Sequence, residues 1–515
     1  MSLALAALVA ACSGFLALSS EILWYRLISF LSGGTSAAFG VLLAAYLLGL
    51  AFGSLWVRRA CPDGQPTPGQ LRMPAILALL AAVASWAVVP VAAQLVTTLP
   101  WPLLLPLIAV AAGLQGAILP LAAHFGIAPD SKAGARLSWV YLANIIGSTL
   151  GSLITGFLLL DVMTLAEVTT LLALLGCALA LGLAWAVPGV QRGGVTAAAL
   201  LTAVAVLALH GPAFAQLWER LQLKTQFKGQ HFAHVIETRS GVITVNDNGG
   251  IYGGGVYDGV FHIDLVDDRN RVLRPFLVAA MHPQPKRILV IGLASGSWTQ
   301  VLANLPGVEQ VVAIEINPGY LDLIGRYPLV QSLLTNPKVQ IIVDDGRRWL
   351  EAHPDQKFDV IVQNTSFHWR GHATNLLSIE YLQAVAHHMN RGGLNIWNTT
   401  DSIHAQKAGC VAYPHALRFD NHMAGSDQPI VLDGKRFTDS VLAMRIDGKP
   451  VLDLTQPSHA KRLSELQELI AKMPQGRTAY FEMCPSVLEK CKDGPPVTED
   501  NMVSEFARPW WAIPD

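Results

Sequence analysis

The sequence predicts two domains of different class. The first is an α-helical membrane domain of about seven spans, and the second an α/β domain on a doubly wound, Rossmann-like parallel sheet preceded by a small β-region. Three observations carry this. Over 515 residues only 14% are charged and the mean hydropathy is +0.40, too apolar for an ordinary soluble chain. The apolarity is concentrated in residues 1–210, as runs of bilayer-crossing length between short polar breaks. Beyond Gly211 charge returns to globular frequency, and short Ile/Val-rich runs alternate with helical stretches. The domains are expected at 1–210 (membrane), 211–285 (linker and β-region), 286–400 (Rossmann-like core) and 401–515 (C-terminal part).

The expected spans are 3–20, continuing toward 30, then 35–57, 73–96, 102–123, 137–160, 164–187 and the short 194–210. The breaks with Arg58, Arg59 and Arg72, with Lys132 and Arg136, and with Arg192 hold the positive charge, whereas those near Gly33, Pro100 and Asp161 hold none. The positive-inside rule then puts the N-terminus in the cytoplasm. Seven spans would place the second domain outside; six, with the last segment in the interface or the first not crossing, would return it to the cytoplasm. "LVAAC" at Leu8 to Cys12 resembles a lipoprotein cleavage box, but no Lys or Arg precedes it. Glu21 and Arg26 are expected to form a structural ion pair. The small-residue run "NIIGSTLGSLITG", bracketed by Asn144 and Asp161, is expected to be a helix-packing seam.

In the second half, "HVIETRSGVITVND" alternates like an exposed antiparallel strand, and "GGIYGGGVYDG" reads as a glycine-rich turn before "VFHIDLV". "KRILVIGLASGSWTQVLA" is a buried strand, a turn through Gly292 and Gly296, and a helix start. The next strand, "QVVAIEINP", carries Glu315 at its tip, 23 positions after Gly292. A glycine turn lets backbone approach a ligand, and an acid at the next strand tip accepts both ribose hydroxyls. Strands "VQIIVDDG", "FDVIVQN" and "GGLNIWNTT" follow at βαβ spacing. The absence of a pyrophosphate-cradling Gly-x-Gly-x-x-Gly points to a nucleoside without pyrophosphate. The charge balance, 36 basic against 37 acidic residues, shows no nucleic-acid footprint. Six cysteines show no metal-type pair spacing, and Cys484 and Cys491 are expected as free thiols rather than a pair. No metal is expected.

These motifs resemble the spermidine synthase (polyamine aminopropyltransferase) family, specifically its membrane-fused members. "SSEILWYRL", "AAYLLGLAFGSL" and "YLANIIGSTLGSLITGFLLL" are similar to the fused membrane domain, and "HPQPKRILVIG" through "GGLNIWNTT" to the synthase core. The resemblance implies an S-adenosylmethionine-type fold and a sulfonium nucleoside donor, decarboxylated S-adenosylmethionine, attacked by an amine to release methylthioadenosine. It implies that Glu315 binds the ribose and Asp345, in "VDDGRRW", the adenine amino group.

The reaction positions depart from the family. Its Gly-Gly-Gly-Asp-Gly-Gly reads Gly292-Leu293-Ala294-Ser295-Gly296-Ser297, so Ser295 replaces the acid that holds the donor's ammonium. Its Asp-Ser-Ser-Asp reads Asn364-Thr365-Ser366-Phe367, and Asn270, Arg271 and Val272 stand where the family has Tyr-His-Glu. A diamine brings two charges into a water-poor cleft and must lose a proton on attack; Asn364 neither carries charge nor titrates. The gained residues point toward a donor that keeps its carboxylate. Arg370, with Arg271 as a second candidate, would clamp that group bidentately. Trp369 would cover the donor, and His368 or His372 would act as acid or base. In "VTEDNMVSE", similar to the family's acidic tail, Glu499, Asp500 and Glu505 are candidates to return carboxylates to the cleft.

The expected function is therefore a membrane-bound transferase acting on the sulfonium carbon chain, by aminopropyl or 3-amino-3-carboxypropyl transfer or intramolecular cleavage. A methyltransferase and a non-catalytic nucleoside sensor are the alternatives. The expected partners are the sulfonium nucleoside and the lipid bilayer, with an unassigned acceptor; a homodimer is compatible with this reading. The expected location is the inner (cytoplasmic) membrane, with the second domain in the cytoplasm because its donor is made there.

Overall fold

The computed structural model describes residues 1–59, 61, 67–187, 192–364, 367–472 and 480–506. The chain divides into two compact units, with the boundary between Val242 and Ile243. The segment 211–242 therefore groups with the helices rather than with the α/β part.

The helices of the first unit are α1 (Leu3–Leu31), α2 (Ala37–Arg58), α3 (Pro68–Leu95), α4 (Leu105–Gly116), α5 (Ile118–Gly126), α6 (Ala133–Ile154), α7 (Leu160–Val162), α8 (Leu165–Ala186) and α9 (Arg192–Phe214). Seven stretches are long and apolar enough to cross a membrane, with α4–α5 and α6–α7 each counting as one. The first continues to Leu31 and the last is 23 residues long, so neither end of the series is short of a crossing. Helix starts are marked by capping boxes: Thr67 and Gln70 open α3, and Thr164 and Glu167 open α8.

The small-residue run does form a packing seam. A Cβ on Gly147 would sit 1.9 Å from the Ala11 carbonyl oxygen and one on Gly151 2.4 Å from that of Phe15, so α6 lies backbone to backbone on α1. Polar contacts lock the same seam: Asn144 Nδ2 donates to Ala10 O (3.0 Å) and Ser19 Oγ to Gly151 O (3.2 Å). The expected Glu21–Arg26 pair does not form. Arg26 reaches instead to the segment after α9, donating to Thr238 O (2.7 Å), with Glu237 3.9 Å away. Glu237 is held by Leu165 N and by Trp218 Nε1 on α10 (Leu217–Leu223), each at 2.8 Å. A charge near a helix end finds its partner in a neighbouring polar layer more cheaply than across an apolar turn.

A β-meander spans the boundary. β1 (His234–Thr238), in the first unit, precedes β2 (Gly241–Val245), and β3 (Gly250–Gly253) and β4 (Val256–Val260) follow in the second; β2–β3 and β3–β4 pair antiparallel. "GGIYGGGVYDG" is thus a hairpin in its own right, turning only at Gly254 and Gly255, whose φ of +58° and +79° suit the paired strands. After α11 (Leu273–Phe276) and α12 (Val278–Met281) come β5 (Arg287–Ile291), α13 (Ser297–Ala303), β6 (Gln310–Glu315), α14 (Gly319–Ile324), β7 (Val339–Val343), α15 (Gly346–Ala352) and β8 (Phe358–Gln363). Then follow α16 (Thr374–Leu377), α17 (Ile379–His387), β9 (Met389–Asn398), α18 (Ile403–Ala412), β10 (His415–Phe419) and β11 (His422–Ser426). The chain continues through α19 (Gly434–Ala443), the ribbon β12–β13 (Arg445–Ile446, Lys449–Pro450), α20 (Pro457–Ala471), β14 (Phe481–Met483) and α21 (Cys484–Lys490).

The main sheet has the order β14-β10-β11-β9-β8-β5-β6-β7. Its five expected strands are parallel and doubly wound. β11, β10 and β14 extend it antiparallel. Strand order reverses between β5 and β8, the position at which such sheets bind ligands at their carboxyl ends.

Of the two cysteines expected to be free, Cys484 bonds Cys410, with sulfurs 2.00 Å apart, and Cys491 is free and buried. The two bonded residues are 74 positions apart; α18 and α21 pack together, bringing their Cα atoms to 5.6 Å.

Candidate active site

The carboxyl ends of β5 and β8 meet at the switch point. Asn364 N donates to Ile291 O (3.0 Å), and Gly292 turns away at φ +87°. A Cβ on Gly292 would lie 2.4 Å from the Asn364 carbonyl oxygen, an immovable backbone atom. Gly292→Ala is expected to destabilise the second unit by roughly 2 kcal/mol through strain and clash, read as a lowered thermal midpoint. Gly296, at φ +73°, starts α13, and its missing Cβ leaves room for Ile324 Cδ1, 2.9 Å from where one would stand.

Between these glycines the loop folds over Glu315. Glu315 Oε2 accepts from Leu293 N (2.8 Å) and Ala294 N (3.3 Å), and Oε1 accepts from Asn317 N (2.9 Å). Burial pushes the carboxyl up to about 7 despite these backbone donors. Asp345 stands at the tip of the next strand, half-buried, and caps α15 by accepting from Arg348 N at 2.8 Å. Two carboxylates thus stand at adjacent strand tips beside a glycine turn, presenting hydrogen-bond acceptors at the switch point.

Around Ser295 and Asn270 the hydrogen-bonding side chains are neutral. Ser295 is buried in a closed network, donating to Ser297 Oγ (2.9 Å) and accepting from Asn270 Nδ2 (3.3 Å). Asn270 Oδ1 in turn accepts from Val260 N at 2.9 Å. Each amide and hydroxyl there has a partner without any charge. Arg271 turns outward, mostly exposed, to Asp420 at 3.4 Å.

Arg370 is placed differently from the expected carboxylate clamp. Its guanidinium is half-buried and donates to Gly253 O (3.2 Å) on the hairpin, with the half-buried Asp258 carboxylate supplying opposite charge. Asp258 accepts a short hydrogen bond from Tyr320 Oη. Burial pushes the Asp258 carboxyl up, opposed by that hydroxyl and by Arg370. Asp258 thus faces Arg370 with opposite charge and ties the meander to α14. Asp258 and Tyr320 escaped the sequence reading; the only signal was one acid in an otherwise glycine-rich hairpin.

Of the loop after β8, Thr365 and Ser366 lie outside the described residues. His368 N donates to Thr400 Oγ1 and its Nδ1 lies 2.9 Å from the same oxygen. Trp369 is buried, its ring 5.6 Å from that of Phe367. His372 is exposed, at φ +69°. Glu505 does return to this region, but to backbone: its carboxylate accepts from His372 N (3.1 Å) and Thr374 N (2.8 Å). Glu499 pairs with Arg347 at 2.6 Å, and Asp500 is exposed. Glu505→Ala should free the 372–374 turn at a cost of about 1.5–3 kcal/mol, the worth of hydrogen bonds to a buried charge. Faster amide hydrogen exchange at His372 and Thr374 than in the unaltered protein would register it.

Residues 276–412, from the end of α11 to the end of α18, match the spermine/spermidine synthase domain. The polyamine aminopropyltransferase of Mycobacterium tuberculosis (strain CDC 1551 / Oshkosh) is 26% identical over 415 residues, covering 76% of each chain. That match is longer than the second unit, so it extends into the helical one. The polyamine aminopropyltransferase of Agathobacter rectalis is 33% identical over 20% of this chain and 35% of its own. Among solved structures, the spermidine synthase of Thermotoga maritima aligns over 47% of this chain and 88% of its own, with TM-score 0.36 and 15% identity. Residues 276–412 are thus similar to the spermine/spermidine synthase domain, and the chain as a whole is similar to polyamine aminopropyltransferases over most of its length.

Proposed function

We propose that the protein is a membrane-bound transferase that holds a sulfonium nucleoside, S-adenosylmethionine or its decarboxylated form, and acts on its carbon chain to release methylthioadenosine. The observation that carries this is the Glu315 carboxylate under the Gly292–Gly296 loop, 2.8 Å from Leu293 N, at the switch point of a doubly wound sheet. In the proposed complex Glu315 accepts from the ribose hydroxyls, and Asp345 accepts from the adenine amino group through the carboxylate oxygen left over from capping α15.

The nucleophile attacks the carbon next to sulfur, and the C–S bond breaks with its electron pair going to sulfur, turning the sulfonium into a neutral thioether. Charge is lost at sulfur in the transition state, so neutral surroundings disfavour the reactant more than the transition state. The Asn270–Ser295–Ser297 network supplies such surroundings. The same neutrality argues against a diamine acceptor, whose ammonium groups lack carboxylate partners at Ser295 and Asn364.

Incubation of the detergent-purified full chain with each donor form, with and without putrescine, followed by mass spectrometry of nucleosides, tests this. Methylthioadenosine is the expected product, and its dependence on donor and amine assigns transfer or self-cleavage. S-adenosylhomocysteine would make the protein a methyltransferase and overturn the reading, as would the absence of any nucleoside product with either donor.

A further inference from the structure

We infer that the second unit works on the non-cytoplasmic face of its membrane, in an oxidising compartment, against the placement expected from the donor's origin. The inference does not depend on the proposed reaction. Three independent observations carry it.

The first is the charge of the connections. Arg58, Arg59, Arg72, Lys132, Arg136 and Arg192 all lie in or beside the connections α2–α3, α5–α6 and α8–α9, whereas 32–36, 96–100 and 163–164 contain no Lys or Arg. Short connections are the ones that set orientation, so the basic end faces the cytoplasm.

The second is that the helical unit keeps this alternation in three dimensions. One buried cluster joins Leu23–Leu31, Val88–Val96, Trp101, Leu165 and Phe214, the ends of helices that border the uncharged connections. A separate cluster joins Val57, Ala75, Leu121, Ala184 and Val195, the ends that border the basic ones. Leu217, Trp218 and Leu221, which follow α9, pack in the first cluster. There the chain is fixed by Arg26 to Thr238 O and by Asp161 to Arg239 at 4.0 Å. The chain therefore leaves the helical unit at the end opposite the basic connections, whichever way its first helix is counted.

The third observation lies wholly in the second unit. Cys410 and Cys484 are joined, whereas Cys12, Cys61 and Cys177 of the helical unit and Cys491 of the second are free thiols. Such bonds persist in oxidising compartments and are rare in the cytosol. Closing this one takes two electrons and two protons from the thiols by exchange with a disulfide-bearing oxidant, which is reduced to a dithiol. One consequence concerns supply. A sulfonium nucleoside is charged and crosses an apolar layer only at high cost, so a donor made in the cytoplasm has to be exported before this domain can use it.

Cysteine labelling in bacterial spheroplasts producing the full chain tests the inference. Lys435 is 87% exposed on the second unit, and Arg59 is exposed at the basic end. A membrane-impermeant maleimide should label Lys435→Cys as fully in intact spheroplasts as in permeabilised ones, and Arg59→Cys only after permeabilisation. In the unaltered chain, acid-trapped and unfolded in detergent, a mass-tagged maleimide should count four thiols before reduction and six after. Protection of Lys435→Cys in intact spheroplasts, or six thiols before reduction, would overturn the inference.

Discussion

Replacing Glu315 with glutamine should weaken nucleoside binding by about 10- to 150-fold, the equivalent of roughly 1.5–3 kcal/mol for a hydrogen bond to a charged group. It should also abolish a pH dependence that the unaltered protein shows near neutrality. A carboxylate offers four lone-pair positions. Three accept from Leu293 N, Ala294 N and Asn317 N, and the 3.3 Å contact from Ala294 is the weakest and most readily exchanged for a ribose hydroxyl. Glutamine turns one oxygen into an NH2 group facing a backbone donor, so the loop and the ribose both lose an acceptor. The pH dependence follows from burial, which pushes the carboxyl up to about 7 from its ordinary value of 4.5. Between those values the folded protein holds a proton that the unfolded chain has released, so Glu315 favours the fold at low pH and that contribution is lost as pH rises through 7. Binding has the opposite sign, because hydroxyl donors need the ionised form: affinity should rise from pH 6 to pH 8. Calorimetric titration with methylthioadenosine across that range checks both statements. A flat profile in the unaltered protein, or equal affinity in Glu315→Gln, would show that Glu315 serves the loop and not the nucleoside.

The parts of this molecule legible in its sequence are those written in local pattern. β5, β6 and β8 each carry a continuous apolar run, Ile288–Ile291, Val311–Ile314 and Val360–Val362, because both faces of a parallel sheet are covered. Gly292 and Glu315 could be paired on spacing alone, since one βα unit separates them. What stayed hidden is held together by long-range contacts. β11 contains His422, Gly425 and Ser426, a poor strand by composition, and is a strand because β9 and β10 pair with it on either side. Glu237 was not foreseen as the partner of Arg26, 211 positions earlier. Cys484 bonds Cys410 rather than remaining free because the α18–α21 packing decides, and neither spacing nor composition records that packing. At the reaction side the sequence showed which acids were absent, but only the fold shows what replaced them. Asn270 and Ser295 complete each other, 25 positions apart, and Asp258 comes to Arg370 through the hairpin turn.

That last pairing carries the second large effect. Arg370→Met should destabilise the second unit by roughly 1–3 kcal/mol, because it leaves the half-buried Asp258 charge without its counter-charge. For a unit of this size that corresponds to roughly 2–12 °C in thermal midpoint. Asp258→Asn alone should also destabilise, by stranding the guanidinium against Gly253 O and Tyr320. The double variant should recover most of the loss, since two neutral groups of similar size need no counter-charge. Thermal unfolding of the full chain in detergent, compared across this cycle, measures the coupling directly. A substrate-binding arginine behaves otherwise: its removal leaves the midpoint nearly unchanged, lowers donor affinity, and is not rescued by Asp258→Asn. Strong coupling in stability would mean that Arg370 fixes the glycine hairpin against the core, and selectivity between the two donor forms must then come from another group. Additive single effects, with a loss confined to the carboxylated donor, would restore Arg370 as the group that distinguishes S-adenosylmethionine from its decarboxylated form.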